Sequence, residues 1–425
     1  MMDSKLNVQK IRKDFPILSR KVNGKSLIYL DNGATAQKPK QVIDAITKYY
    51  SEQNANIHRA VHHLSQNITV DYENARTTIQ KHIGAKHAHE IIFTSGTTES
   101  INLVATTFGK LFSPFGDRLM PGDEILITEM EHHSNILPWQ MLCEEKNAVL
   151  KVVPITDRGE LDIEQIDNLL NSKTKIVAIT HTSNTLGTIN PVKEIIRVVR
   201  KKSSRHQRKV GDEIIVLVDG AQAIPHMKVD VRDLDADFYC FSGHKVFGPT
   251  GIGVLYGKEK LLRKLPNYQV GGGTIKTVSF KKTEYADIPL RFEAGTPHIA
   301  GGIGLASALD YINNIGLEKI SEYEHELLKY ATEKLLMIEG LRIIGTSKNK
   351  VSVISFVINK IHPYDIGVIL DQLGIALRTG HHCTQPIMDK FKIPGTVRSS
   401  LAFYNTKEEI DELIKGVERA KKMLK

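Results

Sequence analysis

The feature that most constrains this chain is a series of strand-length apolar runs set apart by longer stretches of helical periodicity. The runs are Glu90–Thr94 (EIIFT), Glu124–Thr128 (EILIT), Lys175–Thr180 (KIVAIT), Ile214–Asp219 (IIVLVD), Phe238–Ser242 (FYCFS) and Ile252–Tyr256 (IGVLY). A strand with one wet face alternates apolar and polar residues, whereas a strand covered on both faces need not. Several of these runs are β-branched and apolar throughout, and helical segments such as Thr98–Leu111 and Asn190–Lys201 separate most of them. That order predicts an α/β fold with a mostly parallel sheet wrapped by helices, which gathers ligands at the C-terminal ends of its strands.

After about residue 300 the pattern changes. GGIGLASALDYI and KISEYEHELLKYATEKLLMI read as helices, VSVISFVI as a short strand, and Lys407–Leu424 as a last amphipathic helix. The expected division is a large domain over residues 27–300 and a smaller α+β domain formed by 1–26 and 301–425. A chain of 425 residues can bury such cores without covalent staples.

The net charge of +9 invites a nucleic-acid partner. Six basic residues, however, fall in Arg200–Lys209 (RKKSSRHQRK), which leaves 9 − 6 = +3 for everything else. Neither zinc-finger spacing, an RNA-binding aromatic motif nor a basic zipper accompanies the run. It reads as a solvated loop, and neither a nucleic-acid partner nor a metal site is expected. Apolar runs far below the ~20 residues of a membrane span exclude a membrane reading. Three cysteines are too few for a disulfide framework. With an opening segment that lacks an apolar export core, they point to a reducing, cytoplasmic location.

The chemistry-bearing residues cluster at strand ends. Asp219 ends an apolar strand and precedes Gly220-Ala221-Gln222-Ala223. It is placed either to cap a helix or to meet a ligand. Lys245 follows the strand FYCFS directly, where an ammonium is costly unless compensated or used. Thr94-Ser95-Gly96-Thr97-Thr98-Glu99 leaves a strand and opens a helix, which makes either a capping box or an anion site. Taken together these residues suit pyridoxal phosphate. Lys245 forms the Schiff base, Asp219 holds the pyridine nitrogen protonated, and Gln222 bonds the phenolic oxygen. Thr97, Thr98, Ser242 and His244 surround the phosphate.

The segments YLDNGATAQKP, NANIHRAVH, SGTTESINLVA, MEHHSNILPWQ, HTSNTLGTINP, VDGAQA, FSGHKVFGPTGIG, RFEAGTP and RTGHHC extend this reading. In order and content they resemble the fold-type I pyridoxal-phosphate enzymes of the class V aminotransferase group. Within it they resemble the SufS-type (group II) cysteine desulfurases, also called selenocysteine lyases. The resemblance runs from about residue 10 to the C-terminus.

Class V also contains aminotransferases and other lyases, so the cysteines decide the reaction. Cys240 lies in the strand FYCFS and Cys143 ends the apolar run WQML, so both read as inert core residues. Cys383 follows Arg378-Thr379-Gly380-His381-His382, a polar segment whose basic groups favour a thiolate. The resemblance implies that Lys245 removes the Cα proton of L-cysteine, or of L-selenocysteine, and that Cys383 takes the sulfur as a persulfide. A SufE- or SufU-type acceptor then carries it to iron–sulfur cluster assembly. The resemblance also implies that His132 stacks on the cofactor and shuttles protons; taken alone, either His132 or His133 reads equally as a surface or core histidine, and the motif position favours His132. It gives Arg398 the substrate carboxylate and puts Asn184 beside it, with Arg378, His58 and Ala34 at the pocket edge. Thr296 is implied to touch the phosphate of the other subunit of a homodimer, and Gly271–Gly273 to belong to a hairpin that reaches it. His362 falls where some members engage a zinc-bearing acceptor. Gly33, Ser95 and Thr384 depart from the family's usual residues without removing a required group.

Overall fold

The structure, a computed structural model, describes residues 6–110, 119–205 and 213–424. Residues 206–209 of the basic run, the helix end expected at Leu111 and the first five residues lie outside the described residues.

Seven strands form the central sheet: β1 (Ile91–Thr94), β2 (Glu124–Thr128), β3 (Val149–Val153), β4 (Thr174–Thr180), β5 (Ile215–Asp219), β6 (Phe238–Ser242) and β7 (Gly253–Gly257). Their spatial order is β1-β7-β6-β5-β4-β2-β3. Every pairing is parallel except those of β7, which runs against both β1 and β6. The mostly parallel sheet expected from the apolar runs is therefore present. Strand β5 shows why its sequence is apolar at successive positions. Val216 and Val218 enter one buried cluster, while Ile215 and Leu217 enter another on the opposite face. Each such side chain contributes roughly 1.5–3 kcal/mol when fully buried. Strand β3 has no counterpart among the sequence runs. It is an edge strand with Val149 and Val152 exposed and Lys151 between them, so its pattern never becomes continuously apolar.

The C-terminal part builds a second sheet from β8 (Leu341–Ile344), β9 (Val353–Ile358), β10 (Arg378–Gly380) and β11 (Thr396–Ser400), in the antiparallel order β8-β9-β11-β10. Helices Leu317–Leu336 and Lys407–Leu424 cover it through Leu327, Leu335, Ile410 and Leu413. Residue 300 falls one position inside the helix Ile299–Ile315, whose Leu305, Leu309 and Ile312 join the core of the large sheet. The N-terminal segment touches both parts. The Phe15 ring meets Phe247 and Tyr311 as well as Tyr404, and Arg12 pairs with Glu409 at 2.8 Å. Among the described residues no helix is long and apolar enough to cross a membrane.

Candidate active site

The C-terminal ends of β4, β5 and β6 and the turn after β1 converge on a cavity of about 240 Å³, closed from the other side by the β10–β11 connection. It is lined by Ala34, Thr97, Thr98, His132, Asn184, Asp219, Gln222, Ser242, His244, Lys245, Arg378, Cys383 and Arg398, all singled out in the sequence. Two others are not brought there. Contrary to the pocket-edge expectation, the His58 side chain points to Glu73 on the helix His63–His82, with Nε2 at 3.1 Å from its carboxylate. Thr296 is exposed on a separate turn and does not line this chain's cavity.

Asp219 is the last residue of β5, and the sheet carries it to the cavity floor. The residue is 5% exposed, and its carboxylate accepts the Ala221 amide at 2.9 Å. Burial pushes its pKa up, and the nearby Lys245 ammonium opposes that. Lys245 sits one turn after β6. Burial pushes its pKa down from the ordinary lysine value, and Asp219 is the largest opposing influence. The two are thus an acid and an amine whose ionisation each depends on the other. Gln222 is fixed through its amide, which donates to the Gly33 carbonyl at 2.7 Å.

The turn between β1 and the helix Thr97–Gly109 has Gly96 at the cap position, with no side chain to satisfy the helix amides. Thr97 donates its amide to Ser242 Oγ at 2.9 Å, and its hydroxyl lies 2.9 Å from the same oxygen. The Thr98 hydroxyl lies 2.8 Å from that of Ser134. Glu99 folds back onto the Ser95 amide at 2.6 Å, on the exposed side. Hydroxyls and a helix N-terminus therefore face the cavity, an arrangement that attracts a phosphate ester. Strand β7 packs tightly behind this turn. A Cβ at Gly253 would lie 2.4 Å from the Gly96 Cα.

His132 ends its loop with Nδ1 accepting the Ser134 amide at 3.1 Å, so the proton of the neutral ring sits on Nε2. Burial, then the nearby Lys245 ammonium, push its pKa down to about 3. His244 is pushed down to about 4 by burial and by Lys245 and Lys38. Both are neutral acceptors or donors at physiological pH.

Arg398 projects from β11 and is 2% exposed. It donates to the Asn184 carbonyl at 3.0 Å and to Asp31 at 3.0 Å, while its Nε has no partner among the described residues. Arg378 stands directly opposite it in the strand register and also binds Asp31, at 3.1 Å. Asp31 is the residue that sequence reasoning missed. The rule that found Asp219, a carboxylate just after an apolar stretch, applies equally to YLD. Glu131 was missed as well. It is wholly buried and accepts from the Thr128 hydroxyl, the Thr180 amide and the Asn135 side chain, tying β2, β4 and the His132 loop together. Burial pushes its pKa up to about 8.

Cys383 is exposed at the cavity mouth, whereas Cys143 and Cys240 are buried, as their apolar surroundings implied. Burial pushes the thiols of both buried cysteines up, Cys143 to about 11. His362 is exposed and caps the helix Pro363–Gln372 through Nδ1. The lysine–carboxylate pair, the hydroxyl-lined helix N-terminus and the buried arginine suit pyridoxal phosphate and an amino acid together. Among the described residues no carboxylate hydrogen-bonds Lys245, and the Gly96 cap brings no side chain to the anion position.

Residues 28–413 match the class-V aminotransferase family, and the chain belongs to it. Its relatives there include cysteine desulfurases. That of Salmonella gallinarum is 48% identical over 418 residues, which are 98% of this chain and 99% of its own length. That of Synechococcus elongatus is 49% identical over 97% of this chain, and the match spans 63% of the relative's length. An apo cysteine desulfurase structure from Thermococcus onnurineus superposes with a TM-score of 0.90 at 40% identity, covering 100% of both chains.

Proposed function

We propose that this protein is a pyridoxal-phosphate-dependent cysteine desulfurase that converts L-cysteine to L-alanine and keeps the sulfur as a persulfide on Cys383. The observation that carries this reading is one cavity holding three things: the Lys245–Asp219 pair, a buried arginine and an exposed thiol. An aminotransferase needs the first two and has no use for the third.

When bound, the cofactor supplies an electron sink for charge developing at the substrate Cα. Thr97, Thr98, Ser242 and His244 would hold its phosphate, Asp219 its pyridine nitrogen and Gln222 its phenolic oxygen. Lys245 would carry it covalently between turnovers. Burial favours the neutral amine of Lys245, so Nζ can take the Cα proton once substrate displaces it. Arg398 holds the substrate carboxylate as a fixed fork, with Asn184 bracing it. His132, neutral with its proton on Nε2, presents a donor to the reacting group. Cys383 Sγ then bonds to the substrate sulfur as the Cβ–S bond breaks. L-cysteine plus the thiol thus give L-alanine plus the persulfide, and atoms balance.

The same reading extends to finer points. The sulfur passes to a SufE- or SufU-type acceptor for iron–sulfur cluster assembly, and L-selenocysteine is a second substrate. The protein acts in the cytoplasm as a homodimer, in which the exposed Thr296 and the hairpin after Gly271–Gly273 serve the partner's site. The division into a large domain and a small domain that carries Cys383 belongs to this reading too. Lys245→Ala should abolish alanine formation from L-cysteine, and Cys383→Ser should remove the persulfide and most turnover. Full turnover in Cys383→Ser would favour a class V aminotransferase or another lyase instead.

A further inference from the structure

His382 and Cys383 are consecutive non-glycine residues in the left-handed region, with φ of +52° and +58°. Such a pair is costly and persists only where surrounding contacts over-determine it. Thr396 on β11 supplies one such contact, its hydroxyl 2.8 Å from His382 Nε2, and most of the others come from two places. From the β4 side, Asn184 donates its side-chain amide to the His382 carbonyl at 2.8 Å, and the Thr185 and Thr384 hydroxyls meet at 2.7 Å. From the loop after β2, one residue supplies two contacts. The His133 backbone amide donates to the Cys383 carbonyl at 2.8 Å, and His133 Nε2 accepts the Gln385 amide at 3.2 Å. On the other side of the cysteine, its own amide donates to His381 Nδ1 at 3.1 Å. The His133 and His381 rings lie 5.6 Å apart at 31°. The cysteine is therefore bracketed by amides bound to imidazole nitrogens, before and after its own carbonyl contact.

We propose that His133 is a positioning residue for Cys383: its side chain fastens the Gln385 amide and so holds the strained thiol turn over the cavity, where it can reach the substrate's sulfur. This deepens the desulfurase reading and rests on it. His133 does not itself line the cavity, which distinguishes it from its neighbour His132. Its ring must be neutral to accept the Gln385 amide, and partial burial together with His381 pushes its pKa below the ordinary histidine value. The role requires an acceptor at the Nε2 position and nothing else of the imidazole. A glutamine places a carbonyl oxygen at similar reach, whereas an alanine removes the acceptor and a lysine offers only donors.

The test uses the holoenzyme and three variants: His133→Ala, His133→Lys and His133→Gln. One measurement is the single-turnover rate of persulfide formation on Cys383, followed by mass spectrometry after mixing with L-cysteine. The other is the affinity for L-alanine, read from the change in the cofactor's visible absorption. The expected result is a loss of about fivefold in the persulfide rate for Ala, at least as large for Lys, with recovery to within twofold for Gln. Fivefold corresponds to ~1 kcal/mol, ordinary for one such bond. L-alanine affinity should be unchanged in all three. An unaltered persulfide rate in His133→Ala would overturn the proposal, as would a parallel loss of L-alanine affinity or a failure of His133→Gln to recover. Absence of any Cys383 persulfide in the wild-type protein would instead refute the desulfurase reading itself, and the proposal with it.

Discussion

Asp31 sits between two guanidinium groups that face each other across β10 and β11. Like charges directly opposite in a sheet repel, and Arg398 is 2% exposed, so water does little to screen it. Consider Asp31→Asn, which keeps the volume and removes the charge. Breaking one partner of a fully buried ion pair costs about 3–5 kcal/mol. The Asp31 side chain retains 16% exposure and Arg398 keeps its bond to the Asn184 carbonyl. A loss of about 2–3 kcal/mol is therefore expected. With an unfolding entropy near 2.1 cal/mol/K per residue, 425 residues unfolding as one unit convert this to a Tm lower by roughly 2–3 °C. The sharper test is the cycle with Arg378→Met. In the wild-type background that change removes a half-exposed group paired to Asp31 and should lower Tm. In the Asp31→Asn background it removes an uncompensated positive charge facing Arg398 and should raise Tm. Differential scanning fluorimetry on all four proteins reads both signs. Additive effects, or an Asp31→Asn protein as stable as the wild type, would refute the claim that Asp31 neutralises the pair.

Three other outcomes follow from the same structure. Histidines 132 and 382 are pushed down to about 3, and 181 and 244 to about 4, chiefly by burial. Their neutral forms stabilise the fold above the unfolded value near 6.5, and that stability is lost as pH falls below it. Glu131, raised to about 8, and Asp219 and Asp310, raised by burial, act in the opposite sense but are outnumbered by the four histidines. Tm should therefore fall steadily from pH 6.5 to pH 5, and a flat profile there would contradict the assigned burial. Gly253→Ala should drive a Cβ into the Gly96 backbone, displace the turn and weaken cofactor retention at least tenfold, as measured by dialysis and absorbance. In the native protein iodoacetamide should alkylate Cys383 quickly and Cys143 and Cys240 only after denaturation, since both of these are buried with raised thiol pKa values.

Much of this molecule is legible in its sequence because strands covered on both faces announce themselves. The run IIVLVD could lie only inside a sheet, and its terminal Asp219 then had to emerge where ligands gather. Lys245 and Gly96 follow from the same logic, each placed by the strand before it. Strand β3 was illegible because an edge strand carries no continuous apolar signal, and its Lys151 breaks the pattern. The strand-end rule reaches Asp31, but the roles of Asp31 and Glu131 were illegible for a different reason. Their roles depend on partners far away in sequence: Arg398 and Arg378 for one, Thr180 for the other. The His382–Cys383 turn is of this kind too, since backbone strain has no signature in residue types when neither residue is glycine. His58 and Thr296 entered through family resemblance alone, and within a single chain no packing brings either to the cavity.

The central claim is that one thiol takes the sulfur, and a single burst experiment addresses it directly. The holoenzyme is mixed with excess L-cysteine in the absence of any added thiol or acceptor, alanine is quantified, and the Cys383 peptide is weighed. The account predicts a rapid burst approaching one alanine per chain, a much slower phase after it, and a Cys383 peptide heavier by one sulfur atom. Sustained alanine formation without a burst, or a burst that leaves Cys383 unmodified, would contradict it.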